Sequence, residues 1–148
     1  MLIYGVPPSN DINFSIGLKP VMSFCAPIVN LRRIKAETKV SYGCDYSAKV
    51  DTNIAVIQMG FADGFPRQWY RNGYVIYNGS KYKIAGRPCM DQFMVDFRNY
   101  SPKIGENVLV FGKYRDDFLP VEKIARDINE TTYTLLTGIR GRTQRLTI

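Results

Sequence analysis

The sequence predicts a mainly β domain, a small barrel or sandwich that carries one or two short helices. Three observations carry this expectation. Short runs rich in β-branched and aromatic residues recur from Val21 to Phe111, with turn residues between most of them. The dipeptide Asn78-Gly79, favoured in tight hairpin turns, separates two of these runs. Apolar residues at convincing helical spacing occur in only one segment, near residues 120–129. A chain of 148 residues suits roughly one domain, large enough to bury a core without disulfides or metals.

The elements follow in order. Residues 4–20 are dominated by Pro, Gly, Ser and Asn and read as a surface connection. The apolar opening Met1-Leu2-Ile3-Tyr4 reads as the tail of a preceding segment. Val21 to Ile34 reads as a long strand interrupted at Pro27. Ala48 to Met59 is a second strand, and Tyr74–Tyr77 with Tyr82–Ala85 form the hairpin around Asn78-Gly79. Phe93–Phe97 and Asn107–Phe111 are two more, the last ending at Gly112. Pro120 suits a first helical turn. Val121, Ile124, Ala125 and Ile128 then fall on one face, with Glu122 and Arg126 as an i, i+4 pair and an end near Asn129. Residues 132–138 predict a second short helix, and residues 142–148 a closing strand.

Composition narrows the chemistry. The chain has no histidine, which removes a self-contained Ser-His-Asp or Cys-His site and histidine-ligated zinc or iron. Proton transfer near neutral pH must then fall to a carboxylate, a shifted Lys, Cys or Tyr, or a cofactor. The net charge of +7 suits nucleic acid, an anionic membrane surface, an acidic ligand or simply a basic soluble surface. Three widely spaced cysteines, Cys25, Cys44 and Cys89, fit no CxxC or zinc pattern and read as reduced thiols of a cytoplasmic protein. No apolar run approaches the roughly 18 residues that a membrane span requires, and the N-terminus lacks the profile of a signal peptide.

Three segments are too particular for generic strands and turns. The first is Val40-Ser41-Tyr42-Gly43, whose bland reading is a tyrosine packed on a hairpin end. The second is Gly60-Phe61-Ala62-Asp63-Gly64-Phe65-Pro66-Arg67, whose bland reading is a tight turn with the Asp capping its own backbone. Its glycine spacing is wrong for a GxGxxG phosphate loop. The third is Gly86-Arg87-Pro88-Cys89-Met90-Asp91-Gln92, a loop between strands. Soft metal ligation by Cys89 and Met90 lacks further ligands nearby.

Taken in order, these segments resemble the C-terminal domain of the alanine racemase family. Lys19-Pro20-Val21-Met22 resembles the start of that domain's first strand. VSYG at 40–43, GFADGFPR at 60–67, GRPCMDQFMVD at 86–96 and IGENVLVFG at 104–112 follow in the family's order, and the spacing from Tyr42 to Phe61 is similar. Tyr4-Gly5-Val6 resembles the end of the family's preceding domain. The resemblance divides the chain into a connecting segment and barrel remnant at 1–18 and the β-barrel-like C-terminal domain at 19–148.

The resemblance implies a fold type III enzyme dependent on pyridoxal 5'-phosphate (PLP). In that family an N-terminal (β/α)₈ barrel holds PLP on a lysine, and a head-to-tail homodimer joins each barrel to the partner's C-terminal domain. This chain would then supply half of each site and no cofactor-binding residue of its own. It would be inactive alone. The family interconverts L- and D-alanine, a cell-wall precursor, by using two bases on opposite faces of the substrate. One base is the PLP lysine and the other is the tyrosine matched here by Tyr42. A tyrosine of ordinary pKa near 10 needs a stabilised phenolate to act in this way. Met90 and Asp91 match the loop that holds the substrate carboxylate, with the Met90 N–H as donor. Cys89 lines the same loop.

Two departures stand out. Phe61, at the entrance to the site, replaces a usual tyrosine. Gly141 stands near the place where some members carry a phosphate-binding tyrosine, so no phosphate role transfers. Arg140, Arg142 and Arg145 are then expected to pack against the missing barrel or bind anions. Alternatives remain at this level. A serine racemase of the same family would share these motifs. A non-catalytic basic β-barrel with ten tyrosines could bind single-stranded nucleic acid by stacking, although the charge is scattered without a basic stripe. On balance the reading excludes nucleic acid and membrane as partners and retains alanine or serine.

Overall fold

The computed structural model describes residues 1–7 and 17–147. The order of the strands is β1 Phe24–Ile34, β2 Lys39–Val40, β3 Tyr46–Ser47, β4 Thr52–Ile57, β5 Tyr74–Tyr77, β6 Ser80–Ile84, β7 Phe93–Asp96, β8 Asn107–Tyr114 and β9 Asp117–Leu119. Two helices follow, α1 Val121–Ile128 and α2 Thr132–Thr137. The main sheet runs β1-β4-β7-β6-β5-β8-β9, and β1 also pairs with β8, so six strands close into an antiparallel barrel. The mainly β expectation, with its two short helices, is therefore met, and barrel rather than sandwich describes it.

β1 closes the ring by changing partner along its length. Phe24 to Pro27 pairs with β8, and Ile28 to Ile34 pairs with β4, with an irregularity in register between Ile28 and Asn30. Pro27 interrupts no strand. It sits at the changeover, where its carbonyl accepts the Gln58 N–H (3.0 Å) and its missing donor costs the ladder little. The strand starts at Phe24 and not at Val21. The Asn78-Gly79 turn is as read: φ is 48° and 75° at the two residues, the left-handed pair a tight hairpin requires.

β8 departs from its expected end. It continues through Gly112, whose φ of 91° lets the strand bend where a Cβ would collide with the backbone at Met22 and Ser23. The closing strand expected at 142–148 is absent over 142–147, because the β1–β8 seam already completes the barrel. The expected Glu122–Arg126 pair is also replaced. Lys123 and Asp127 form the ion pair in α1, and Asp127 additionally accepts the Trp69 indole N–H (3.1 Å). The helix ends on Asn129 at φ 54°, with the Glu130 N–H returning to the Ala125 carbonyl (2.9 Å).

The core fills the barrel and its covered end. Ile28, Phe93, Val95, Phe97 and Leu109 are fully buried, and Ile124, Leu135 and Leu136 bring the two helices onto the same cluster. Tyr82 stacks on Phe97 within it, and Tyr77 meets both rings edge-on. Two of the ten tyrosines are thus core residues and offer no platform to a nucleic acid base. Most of the connection expected at 4–20 lies outside the described residues. Of its described part, Tyr4 closes the single helical turn Leu2–Tyr4, and Val6 departs from the surface reading, because its side chain is buried in the core.

Candidate active site at the barrel rim

Tyr42 sits on a turn between β2 and β3, a small two-stranded ribbon with Lys39 opposite Ser47 and Val40 opposite Tyr46. The ribbon was not foreseen, since two-residue strands leave no periodicity to read. Its turn is contorted. Ser41, Gly43 and Cys44 have φ of 70°, 71° and 55°. Left-handed backbone at a non-glycine residue is costly, so Ser41 and Cys44 are held there by their surroundings. The side chain of Tyr42 is 70% exposed.

The three motif segments converge on this rim. Phe61 N–H donates to the Cys89 carbonyl (3.1 Å) and Ala62 N–H to the Met90 carbonyl (2.9 Å), so residues 60–64 and 88–91 lie backbone against backbone. Gly60 permits the approach, because a Cβ there would overlap the Met90 carbonyl and the Asp91 nitrogen. On the other flank, Ser41 Oγ donates to the Arg87 carbonyl (2.6 Å), and a Cβ at Gly86 would collide with the Ser41 side chain. The 86–91 segment is therefore wedged between the Tyr42 turn and the Phe61 turn.

Met90 is 63% exposed, and among the described residues its N–H meets no protein acceptor. Asp91 is exposed beside it. Cys89 is half-buried, and burial, then the nearby Asp91 charge, pushes its thiol pKa up. A thiol raised in this way is a poor nucleophile and a poor metal ligand. Phe61 is half-buried, and the Arg67 guanidinium lies over its ring at 5.2 Å.

Asp63 behaves as the bland reading expected and does more besides. It is buried, its Oδ2 accepts the Gly60 N–H (2.8 Å), and the Arg142 fork reaches both carboxylate oxygens (3.1 and 3.2 Å). Arg142 also donates to the Asp91 carbonyl. This tail arginine, expected to face another domain or an anion, is instead bonded to both loops of its own domain. Arg145 likewise donates to the Ile139 carbonyl (3.0 Å). Gly141, with φ of 72°, lies against the Ala62 carbonyl.

Sequence reasoning quoted Arg87 within its motif and missed its partners. Arg87 pairs with Asp45, and the Tyr70 hydroxyl donates to the same carboxylate oxygen (3.1 Å). The Arg87 hydrogen bond holds the Asp45 carboxyl below its ordinary range. Asp45 lies three residues after Tyr42, a position that carried no motif signal of its own.

The cofactor can be tested against the residues present. An imine-forming lysine needs a desolvated amine beside a phosphate cradle. The described lysines are exposed or half-buried, Lys39 and Lys49 near the Tyr42 turn being exposed. These residues do not fit PLP by themselves. Among the described residues there is also no cluster of three or more His, Cys, Asp or Glu able to hold a metal. What the rim presents is two exposed residues, Tyr42 and Met90, on tied loops, with the Met90 N–H free of a protein acceptor among the described residues.

Comparison with known proteins identifies the family. The family described as "Alanine racemase, C-terminal domain" matches residues 21–147. The alanine racemase of Desulforamulus reducens is 33% identical over all of this chain and 40% of its own length. That of Vesicomyosocius okutanii is 37% identical over 96% of this chain and 39% of its own length. Among solved structures, alanine racemase from Streptomyces coelicolor A3(2) superposes with a TM-score of 0.90 at 32% identity, covering 97% of this chain and 38% of that one. The enzyme from Bartonella henselae, described with covalently bound pyridoxal phosphate, gives 0.89 at 31%, covering 99% and 40%. The chain thus spans about two fifths of the length of the relatives it matches.

Proposed function

Because the chain belongs to the alanine racemase C-terminal domain family, we propose that it forms the β-domain half of a PLP-dependent racemase interconverting L- and D-alanine. The observation that supports this most strongly is the convergence on one rim of the turn at 41–44, the segment at 60–64 and the segment at 86–91, with Tyr42 and Met90 exposed and the Met90 N–H free of a protein acceptor among the described residues. In this reading the PLP-bearing domain of a partner subunit docks on that rim in a head-to-tail homodimer. Bound there, the cofactor supplies the electron sink that makes the substrate α-proton removable.

The work of this chain is then twofold. The Tyr42 phenol exchanges a proton with one face of the substrate α-carbon, and a base from the other domain serves the opposite face. A phenol that takes up and returns a proton near neutral pH needs a cation beside its phenolate form, and in this reading the docked domain contributes it. The Met90 N–H donates to the substrate carboxylate. A backbone donor held by neighbouring hydrogen bonds costs no side-chain ordering on binding. Asp91 and Cys89 shape that loop, and Phe61 lines the entrance.

The test is Tyr42→Phe in the enzyme assembled with its PLP-bearing domain. Loss of racemisation in both directions is expected, with the fold unchanged. Racemisation at the parental rate overturns the assignment of the base. The isolated chain is expected to show neither turnover nor, after PLP is added and the unbound excess removed, the visible absorbance of a PLP aldimine. Either result would mean that a lysine of this domain binds the cofactor.

A further inference from the structure

We propose that Arg87 is a positioning residue that braces the Tyr42 turn against the Met90 segment, so that the proton-transferring phenol and the carboxylate-binding N–H move as one unit. The inference rests on the roles of Tyr42 and Met90 proposed above and adds the residue that couples them. It begins from the strain in the turn. Ser41, Gly43 and Cys44 all take positive φ, and Tyr42 is largely exposed. A turn with two non-glycine residues in the left-handed region does not hold itself. Its own aromatic side chain contributes little burial to hold it.

Apart from the Cys44 N–H to Ser41 carbonyl bond (3.2 Å) and the β2–β3 pairing at its base, the ties that hold it lead to one residue. Ser41, before the tyrosine, donates through Oγ to the Arg87 carbonyl (2.6 Å). Asp45, after it, pairs with the Arg87 guanidinium. Between them the guanidinium lies beneath Gly43, where a Cβ would stand 3.8 Å from its central carbon. Tyr70 adds a bond to Asp45 from the turn that follows Pro66 (3.1 Å). Arg87 thus grips both ends of the Tyr42 turn, one through its backbone and one through its side chain.

The same residue is coupled to the carboxylate loop by the chain itself. Pro88 follows it, buried and with its φ fixed by the ring, and Cys89 and Met90 come next. A shift of Arg87 is transmitted along this stiff link. Arginine suits the role because its planar fork fixes direction as well as charge, which a lysine ammonium does not. An ordinary exposed ion pair would be worth little and would leave the turn unchanged when removed. The brace makes the opposite prediction, because the pair is one of two grips on a strained turn.

The experiment has two arms. In this chain, amide hydrogen exchange is compared between the parent and Arg87→Ala. Exchange of the Cys44 N–H, which bonds the Ser41 carbonyl (3.2 Å), is expected to rise by about tenfold or more while β4 and β7 stay protected, the pattern of local and not global opening. In the assembled enzyme, Arg87→Ala is expected to lower kcat by about 10²-fold, the scale of a misplacement near 1 Å. KM should change much less, because Met90 keeps its neighbours' bonds from Phe61 and Ala62. The α-deuterium isotope effect should grow in one direction of racemisation only, the one whose proton Tyr42 removes. Arg87→Lys should recover part of the loss.

Unchanged exchange of the Cys44 N–H, or an isotope effect that changes equally in both directions, overturns the brace. Tyr42→Phe measured alongside separates the two readings. Parental racemisation in that variant removes the role of Tyr42 and leaves the exchange arm to judge the brace alone. Should Arg87→Ala not fold, Asp45→Asn removes only the charge of the partner and carries the same expectations.

Discussion

Inside the barrel Phe93, Val95 and Phe97 are wholly buried, whereas at its rim Tyr42 and Met90 are mostly exposed. The two regions adjoin in sequence, since Met90 lies three residues before Phe93, yet different forces hold them. The interior is held by apolar burial and ring contacts such as Phe65 on Phe93 at 4.4 Å. The rim is held by backbone approaches through Gly60 and Gly86 and by a few polar ties from Arg87, Asp63 and Arg142. The difference teaches how the domain divides its labour. The barrel is closed by its own strands and filled by its own core, and its rim leaves Tyr42 and Met90 exposed.

Substitutions in each region should therefore fail in different ways. Phe93→Ala should give the largest loss of stability, about 3–5 kcal/mol for a buried aromatic side chain in urea unfolding. It should act on the whole domain at once. A loss below about 1 kcal/mol would mean that the core repacks freely, against the density expected of such interiors.

Asp63→Ala comes next, because it strands the Gly60 N–H and frees the Arg142 fork. About 2 kcal/mol is expected for the unsatisfied buried donor. Resonances of residues 60–64, 90–91 and 139–143 should shift together in an NMR spectrum. If they shift independently, Arg142 does not link the loops.

Gly60→Ala should cost about 1–3 kcal/mol, the usual range for forced overpacking. Its more telling effect is local, since the added methyl must push the Met90 carbonyl aside. Chemical-shift changes concentrated at 88–91, with the barrel strands unmoved, would confirm that the rim deforms separately from the core.

The smallest effect is that of acid. The folded Asp45 carboxyl titrates below its unfolded value of about 3.9, because Arg87 bonds the charged form. The contribution of the pair is thus complete above the unfolded value and is lost as pH falls through the folded one. Titration by carbon-detected NMR should show the Tyr42–Asp45 turn loosening within that window while Phe93 and its neighbours remain ordered. Simultaneous loss of both would erase the distinction between rim and core.

The interior was the more legible region. Alternation along Phe93–Phe97, the Asn78-Gly79 hairpin and the i, i+3, i+4 spacing of Val121, Ile124 and Ala125 each report burial, and burial follows periodicity. The rim left fainter marks. Its motifs were visible as ordered strings, and Tyr42, Phe61, Cys89, Met90 and Asp91 do lie on neighbouring loops. The pairings Arg87–Asp45 and Asp63–Arg142 were not visible, because a charge carries no record of its partner across 42 or 79 residues. The closing role given to residues 142–148 failed for a related reason. Which strand completes a barrel depends on a register between distant segments, and no local pattern displays it.

That distant register has a temporal side. Phe24 meets Phe111 at the seam where β1 returns to β8. A chain emerging from its N-terminus cannot shut the ring until residues 107–111 of β8 have been made, and until then β1 and β5 each wait with one edge unpaired. Such a non-local closure makes folding slow for the size of the domain, and the unsealed β1 strand is the segment that chaperones or another copy of the chain would meet first.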